Sequence, residues 1–294
     1  MIRRRRITTR WTVGAILALT WLVAVTVMTT VPSLFPFLRG ADEKVRIAGK
    51  LQSNYKLGPS WDAWWGVDRS SFDIFARCIH YARNSLLVGV SATAIGLTVG
   101  GALGIAAGYF RGWVDRVVSI IIDCLLSIPA LVLAIMVVSR LNDVRADLPW
   151  LGWATRRWQV ILALSVLAVA PLARITRAQT MALREREFVL AARSLGASAP
   201  RVIVKEILPN LVPTMVTVAT TGLGLLIAAE GTLAFLGVGL GESWGVLIEA
   251  NRRRLDKAWW AAVFPCLMLF VTVMSFNVLG DRLAKRFDIR EAGV

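Results

Sequence analysis

Few residues in this chain have the type and spacing that chemistry requires. One histidine, His80, and three cysteines, Cys78, Cys124 and Cys266, with no Cys-x-x-Cys pair, leave a zinc or haem site without a ligand set. The sequence holds no Gly-x-x-x-x-Gly-Lys-Ser/Thr loop, the element whose backbone amides cradle nucleotide phosphates. No nucleophile, base or metal set clusters as a membrane-embedded enzyme would require. The chain is therefore expected to be non-catalytic and to bind no cofactor of its own. What stands out is charge in apolar surroundings. Asp123 and Glu230 fall inside long apolar runs, where an ionised side chain is costly unless it faces protein, water or a partner. Each either lines a translocation path or satisfies a neighbouring helix end. His80 lies ahead of an apolar run and reads as a surface or packing residue rather than a proton relay.

The elements that must position these residues are membrane spans. The 294 residues are 56% hydrophobic and only 18% charged, with a mean hydropathy of +0.61, too apolar for a soluble domain of this size. The net charge of +15 sits between apolar blocks, which favours orientation at a lipid surface over nucleic-acid binding. A spanning helix needs about 20 apolar residues. Six such segments run at 11–31, 85–110, 117–138, 158–173, 211–236 and 259–280. The first follows Arg3-Arg4-Arg5-Arg6 and has no small-residue cleavage site after it, so it reads as an uncleaved span. Arginines before that span predict both termini in the cytoplasm, together with the turn 111–116 and the loop 174–210. Trp61, Trp64, Trp65, Trp150, Trp153, Trp158, Trp259 and Trp260 fall beside the proposed outer span ends, where amphipathic indoles prefer to sit. Gly96, Gly100, Gly104 and Gly108 repeat every four residues along the second span, a seam that admits another backbone, within the chain or across a dimer.

The loop 174–210 is longer than a connection needs to be. Phe188, Ala191, Ala192 and Leu195 share one face of a predicted helix, with Arg184, Arg186 and Arg193 elsewhere on it. Gly196 is placed to stop that helix, Ser198 to cap the next, Pro200 to begin it and Pro209 to end it. The result is a helix-turn-helix at the membrane surface. Glu185-Arg186-Glu187-Phe188-Val189-Leu190-Ala191-Ala192-Arg193-Ser194-Leu195-Gly196-Ala197-Ser198, followed by Ile207-Leu208-Pro209-Asn210, resembles the EAA loop of ABC-importer permeases. That resemblance implies a coupling helix seated in a cleft of a cytoplasmic ATPase, with Glu187, Ala191, Ala192, Arg193, Leu195, Gly196, Ala197 and Pro209 as the coupling residues. Leu190 stands where the family often has Glu, so the Ala-Ala-x-x-x-Gly spacing carries the likeness.

Further blocks resemble the C-type permease of dipeptide and oligopeptide importers. They are Gly66-Val67-Asp68 with Asp73, Arg77, Arg83 and Ser85-Leu86; Asp115, Asp123 and Pro129; Glu230 with Phe235-Leu236-Gly237-Val238-Gly239; Ser243-Trp244-Gly245; and Trp259-Trp260 through Phe276-Asn277-Val278-Leu279-Gly280-Asp281. The departures, Val67, Ser71-Phe72, Ala76 and Tyr81, fall at the outer side. The resemblance implies an all-α membrane protein with six transmembrane helices and a cytoplasmic coupling-helix loop, the type I importer permease. Its parts would be a cytoplasmic N-terminus (1–10), a first helix (11–31), an extracytoplasmic segment (32–84), a five-helix core (85–280) containing the coupling loop (174–210), and a cytoplasmic C-terminus (281–294). It implies a location in the bacterial inner membrane, embedded in lipid. Implied partners are a second homologous permease chain, two ATP-binding cassette domains that hold ATP and Mg, and an extracytoplasmic substrate-binding protein. The charged stretch 242–256, with Trp244, Glu249, Arg252 and Arg253, is then either the contact for that binding protein or an ordinary solvated face. Short peptides are the default cargo, with a nickel chelate, glutathione or another small solute as alternatives. A secondary transporter would show repeated halves with broken midplane helices, and no repeat aligns here.

Overall fold

The computed structural model describes residues 12–291, except 48, 53, 54, 56 and 149–151. The arginine cluster at 3–6, the segment 1–10 and Trp150 lie outside the described residues. Helix α1 (Val13–Thr30) is apolar around its whole circumference, as a helix in lipid must be. After a segment with one two-residue antiparallel pair (Arg46–Ile47 with Lys50–Leu51), α2 (Ile74–Ile95) begins eleven residues earlier than the expected second span. Its start is fixed by Asp73, whose Oδ1 accepts from the Phe75 amide at 2.8 Å and the Ala76 amide at 3.3 Å, the bonding of an N-cap. A π-helical turn (Gly96–Gly100) joins α2 to α3 (Gly101–Phe110). The combined 37 residues span about 55 Å. That exceeds a hydrocarbon core of about 30 Å, so the first turns of α2 project beyond it. The segment expected to be an external loop up to residue 84 is therefore part helix.

The third expected span, 117–138, is not one straight helix. Helices α4 (Gly112–Ser127) and α5 (Ala130–Asp147) meet at 99°, because Ile128 is extended and Pro129 follows it. An X-Pro bond disfavours helix at the preceding residue, and the sequence contained that signal at Pro129. Helix α6 (Arg156–Arg184) is 29 residues long and continues eleven residues beyond the expected end at 173. What reads in sequence as a loop from Arg174 is helix as far as Arg184. Helix α7 (Glu187–Ser194) and the single turn α8 (Ala199–Val202) follow. Pro209 does not end a helix, as its sequence context suggested. A π-helical turn (Ile203–Ile207) runs from α8 directly into α9 (Leu208–Phe235), so the helix is continuous from Ala199 to Phe235 and Pro209 lies within it, just after the π-helical turn. Helices α10 (Trp244–Asn251), α11 (Leu255–Ala258) and α12 (Trp260–Glu291) complete the chain. Among the described residues, five helices are long and apolar enough to cross a membrane, or six if the bent α4–α5 pair counts as one span.

The glycine seam packs within the chain. A Cβ on Gly96 would lie 2.4 Å from Ala168 Cβ, on Gly100 2.7 Å from Val169 O, on Gly104 2.6 Å from Ala173 O and on Gly108 2.7 Å from Arg177 O. All four partners are on α6, so α6 lies backbone to backbone along α2 and α3. The core at this centre comprises Val88, Ala92, Leu164, Ala168 and Leu233. A second core at the end of the bundle far from α7 joins Ile74, Ile79, Ile227, Trp244 and Met268. The indoles at that end divide by role. Trp61 is 97% exposed, whereas Trp65 stacks on Phe264 at 4.8 Å and the Trp260 indole N–H donates to Val67 O at 3.2 Å.

Candidate functional site

The loop between α6 and α9 is packed on one side and open on the other. Where α6 ends, the Glu185 carboxylate accepts from the Arg111 guanidinium. That hydrogen bond and the cation's field hold the Glu185 carboxyl below its ordinary range. Helix α7 starts at once, with Glu187 in its first turn and Arg193 in its last, the placement that complements a helix dipole. Val189 is fully buried and packs with Tyr109, Val202, Ile207 and Leu211, while Ala192, Ala197 and Ala199 close around them. The Arg193 guanidinium lies 4.8 Å from the Tyr109 ring centroid and that of Arg184 lies 5.8 Å from it, both within cation–π range.

The opposite side of α7 is bare. Phe188 is 40%, Leu190 50% and Leu195 89% exposed, and Ala191 between them is exposed as well. The face expected from periodicity is thereby divided. Phe188, Ala191 and Leu195 point outward, and Ala192 turns in toward Val189. Burying an apolar side chain of this size contributes roughly 1.5–3 kcal/mol, so a patch with Phe188 and Leu195 at its ends has the composition of a docking surface.

Gly196 ends α7 as expected. Its φ is +81°, its amide donates to Arg193 O at 2.9 Å and the Ala197 amide donates to Ala192 O at 3.1 Å, which is the Schellman pairing. No atom lies within 4 Å of a Cβ built there, so the cost of substitution is conformational alone. Gly196→Ala is expected to destabilise this turn by roughly 1–2 kcal/mol and Gly196→Asn by less, read as a graded loss of thermal stability in detergent. Ser198 has the extended backbone of an N-cap, but its side chain makes no capping bond; Pro200 supplies the helix start by its fixed φ.

The other sequence candidates separate. Glu230 is fully buried on α9 and its Oε2 accepts from Ser85 Oγ at 3.0 Å, so here it joins α9 to α2 rather than facing open space. Trp244 is also fully buried. Its indole N–H donates to Cys78 O at 2.8 Å, which removes it from any external contact surface and makes it a core anchor for α10. Glu249 and Arg252 form an exposed pair at 3.7 Å, Arg252 lies over the Phe235 ring at 4.7 Å, and Arg253 is exposed. Asp123 is exposed on α4 and pairs with Arg174 at 3.3 Å. His80 is bonded to Arg39 O at 3.0 Å, in keeping with a packing role. Sequence reading missed Tyr109, Arg111 and Arg174 as partners of the loop and of Asp123. The signal available was the Phe110-Arg111-Gly112 turn, where Arg111 and Gly112 adopt φ of +56° and +63° and aim Arg111 at Glu185.

Comparison with known proteins agrees with this architecture. Residues 100–291 match the family described as binding-protein-dependent transport system inner membrane component. A dipeptide transport system permease of Alkalihalophilus pseudofirmus is 33% identical over 275 residues, covering 92% of this chain and 85% of that protein. A glutathione transport system permease of Shigella dysenteriae is 37% identical over 243 residues, covering 82% of this chain and 76% of that one. An inward-facing structure of the MetNI methionine ABC transporter matches at a TM-score of 0.60 with 20% identity, over 73% of this chain and 97% of its own. The chain thus has the fold of a type I ABC-importer permease, and it belongs to the family of inner-membrane components of binding-protein-dependent transport systems.

Proposed function

We propose that this permease subunit forms half of a translocation path for short peptides and is driven through α7 by a cytoplasmic ATPase. The observation that supports the reading most directly is the bare apolar face of α7, held on a fully packed base at Val189. A surface that is exposed yet rigidly mounted transmits displacement, whereas a flexible one would absorb it. In this reading both termini and α7 face the cytoplasm, a second homologous chain completes the path, and two partner ATPase domains bind ATP and Mg. An extracytoplasmic binding protein delivers cargo at the α10 end. ATP binding closes the ATPases, the coupling helices follow, and the spans switch from inward-facing to outward-facing as rigid bodies. The chain itself is the non-catalytic member. Short peptides are the proposed cargo because relatives over most of this chain are named for dipeptide and glutathione transport, and glutathione is itself a small peptide.

The test is to tag the chain, extract it in mild detergent and identify what co-purifies by mass spectrometry. A homologous permease chain and P-loop ATPases are expected. Recovery of this chain alone in a stable folded form would instead favour a secondary transporter.

A further inference from the structure

Two features that a lipid-facing surface does not tolerate lie side by side in the groove between α4–α5 and α6. The first is the Asp123–Arg174 pair. Its oxygen and nitrogen are 3.3 Å apart and the side chains are 64% and 63% exposed, although Asp123 stands two turns along α4 beyond Asp115 and Arg174 nearly three turns before the end of α6. Helix α6 and the bent α4–α5 pair have the length and composition of membrane spans, and an exposed ion pair on such helices is costly wherever it meets hydrocarbon. The second is the break at Ser127, Ile128 and Pro129, where α4 stops and α5 departs at 99°. A helix end leaves its last carbonyls without intrahelical partners, and irregular backbone at membrane depth is tolerated only where protein covers it or water reaches it.

The two features share one groove. A polar cavity of about 180 Å³ is lined by Ser119, Ile122, Asp123, Arg174 and Arg177. One turn further along α4 and α6, a cavity of about 290 Å³ is lined by Leu126, Ser127, Pro129, Leu133, Leu167 and Ala170, among others. The neighbouring Asp115 is already satisfied, since both of its oxygens accept from Arg177. Asp123 and Arg174 have no other hydrogen-bond partner among the described residues. An isolated, solvated ion pair of this kind is held weakly and exchanges easily.

We propose that this groove is a wall of the water-filled path and that Asp123 and Arg174 form a docking point for a zwitterionic solute. The solute's carboxylate pairs with Arg174 and its ammonium group with Asp123, as the two side chains separate to receive it. The apolar upper cavity then accommodates the solute's side chains. This rests on the importer reading above and assigns its cargo class to a place.

The experiment uses the assembled importer in inside-out vesicles, with Cys124→Ser and Cys266→Ser to remove the exposed thiols, and Ser119→Cys as the probe. A charged, membrane-impermeant methanethiosulfonate is expected to label position 119. Dialanine in excess is expected to slow labelling several-fold, while N-acetyl-dialanine amide, which lacks both charges, leaves it unchanged. Arg174→Ala is expected to abolish that protection and Arg174→Lys to restore most of it. Absence of labelling with and without ATP would overturn the proposal by showing the groove covered by another chain. Labelling with no protection, or equal protection by both peptides, would also overturn it. If the ATPases fail to co-purify with the tagged chain, the importer reading itself falls, independently of the labelling result.

Discussion

Transport by a chain carrying Ala191→Arg is expected to fall at least tenfold while the protein still inserts, folds and remains in the membrane. Ala191 is exposed on the bare face of α7 between Phe188 and Leu195, and surface changes of this kind usually shift stability by no more than about 0.5 kcal/mol. In a docked complex the same guanidinium must enter an apolar interface. An unpaired charge there costs several kcal/mol, and each 1.4 kcal/mol lost from an interface is about a tenfold weaker complex. Ala192→Arg separates the two sides of the helix. Ala192 packs inward against the cluster of Val189 and Tyr109, beside the cation of Arg193, and its replacement is expected to lower thermal stability as well as transport. Uptake in vesicles together with thermal unfolding in detergent reads both variants. Normal uptake by Ala191→Arg would remove the basis for assigning this face to the ATPase.

A large loss of stability is expected on filling the seam at Gly104. A Cβ there would lie 2.6 Å from Ala173 O, 2.7 Å from Thr176 Cβ and 2.9 Å from Arg177 N. Two of these atoms are backbone of α6 and cannot rotate away. Gly104→Val must therefore separate α3 from α6 along the whole seam that Gly96, Gly100 and Gly108 define. Overpacking in ordinary cores costs about 1–3 kcal/mol; with no side chain free to yield, the expected loss is about 3 kcal/mol or more, seen as low yield or aggregation. Gly222 provides the control. It lies on α9 with nothing within 4 Å of a built Cβ, so Gly222→Ala is expected to be neutral or to stabilise slightly, since Ala is the better helix former by about 1 kcal/mol. Equal behaviour of Gly104→Val and Gly222→Ala in size-exclusion profiles would show that the seam is not a close contact.

Most of the architecture was legible in the sequence because membrane helices are written in long apolar runs, and a four-residue glycine repeat announces close backbone approach. Chain order of the spans, the α7 helix, its glycine stop and the seam all follow from such local signals. Errors arose where polar helix continues an apolar one. The turns around Asp73 at the start of α2 and Arg174 to Arg184 at the end of α6 are charged, so hydropathy alone placed the boundaries too far into the apolar run. Pro129 and Pro209 show why residue type is insufficient. Pro129 breaks a helix, with the residue before it extended, whereas Pro209 lies inside a continuous helix just after a π-helical turn.

The site was legible in its helix and less so in its mounting. Periodicity grouped Phe188, Ala191, Ala192 and Leu195, but only tertiary packing decides that Ala192 turns toward the cluster of Tyr109, because Tyr109 arrives from a segment 83 residues away in sequence. Trp244 shows the same limit. Its charged neighbours suggested an exposed position, while a backbone carbonyl at Cys78 fixes its indole in the core.

Cross-linking from Leu195, the highly exposed C-cap of α7, tests most directly whether an ATPase drives this chain through that helix. With Cys124 and Cys266 replaced by Ser, Leu195→Cys carries the one accessible thiol among the described residues, since Cys78 is buried. A short bifunctional maleimide applied to the native membrane is predicted to join this chain to a P-loop ATPase subunit, and Ala191→Arg in the same background to suppress the adduct. Efficient modification of Leu195→Cys with no ATPase adduct in any nucleotide state would contradict the account.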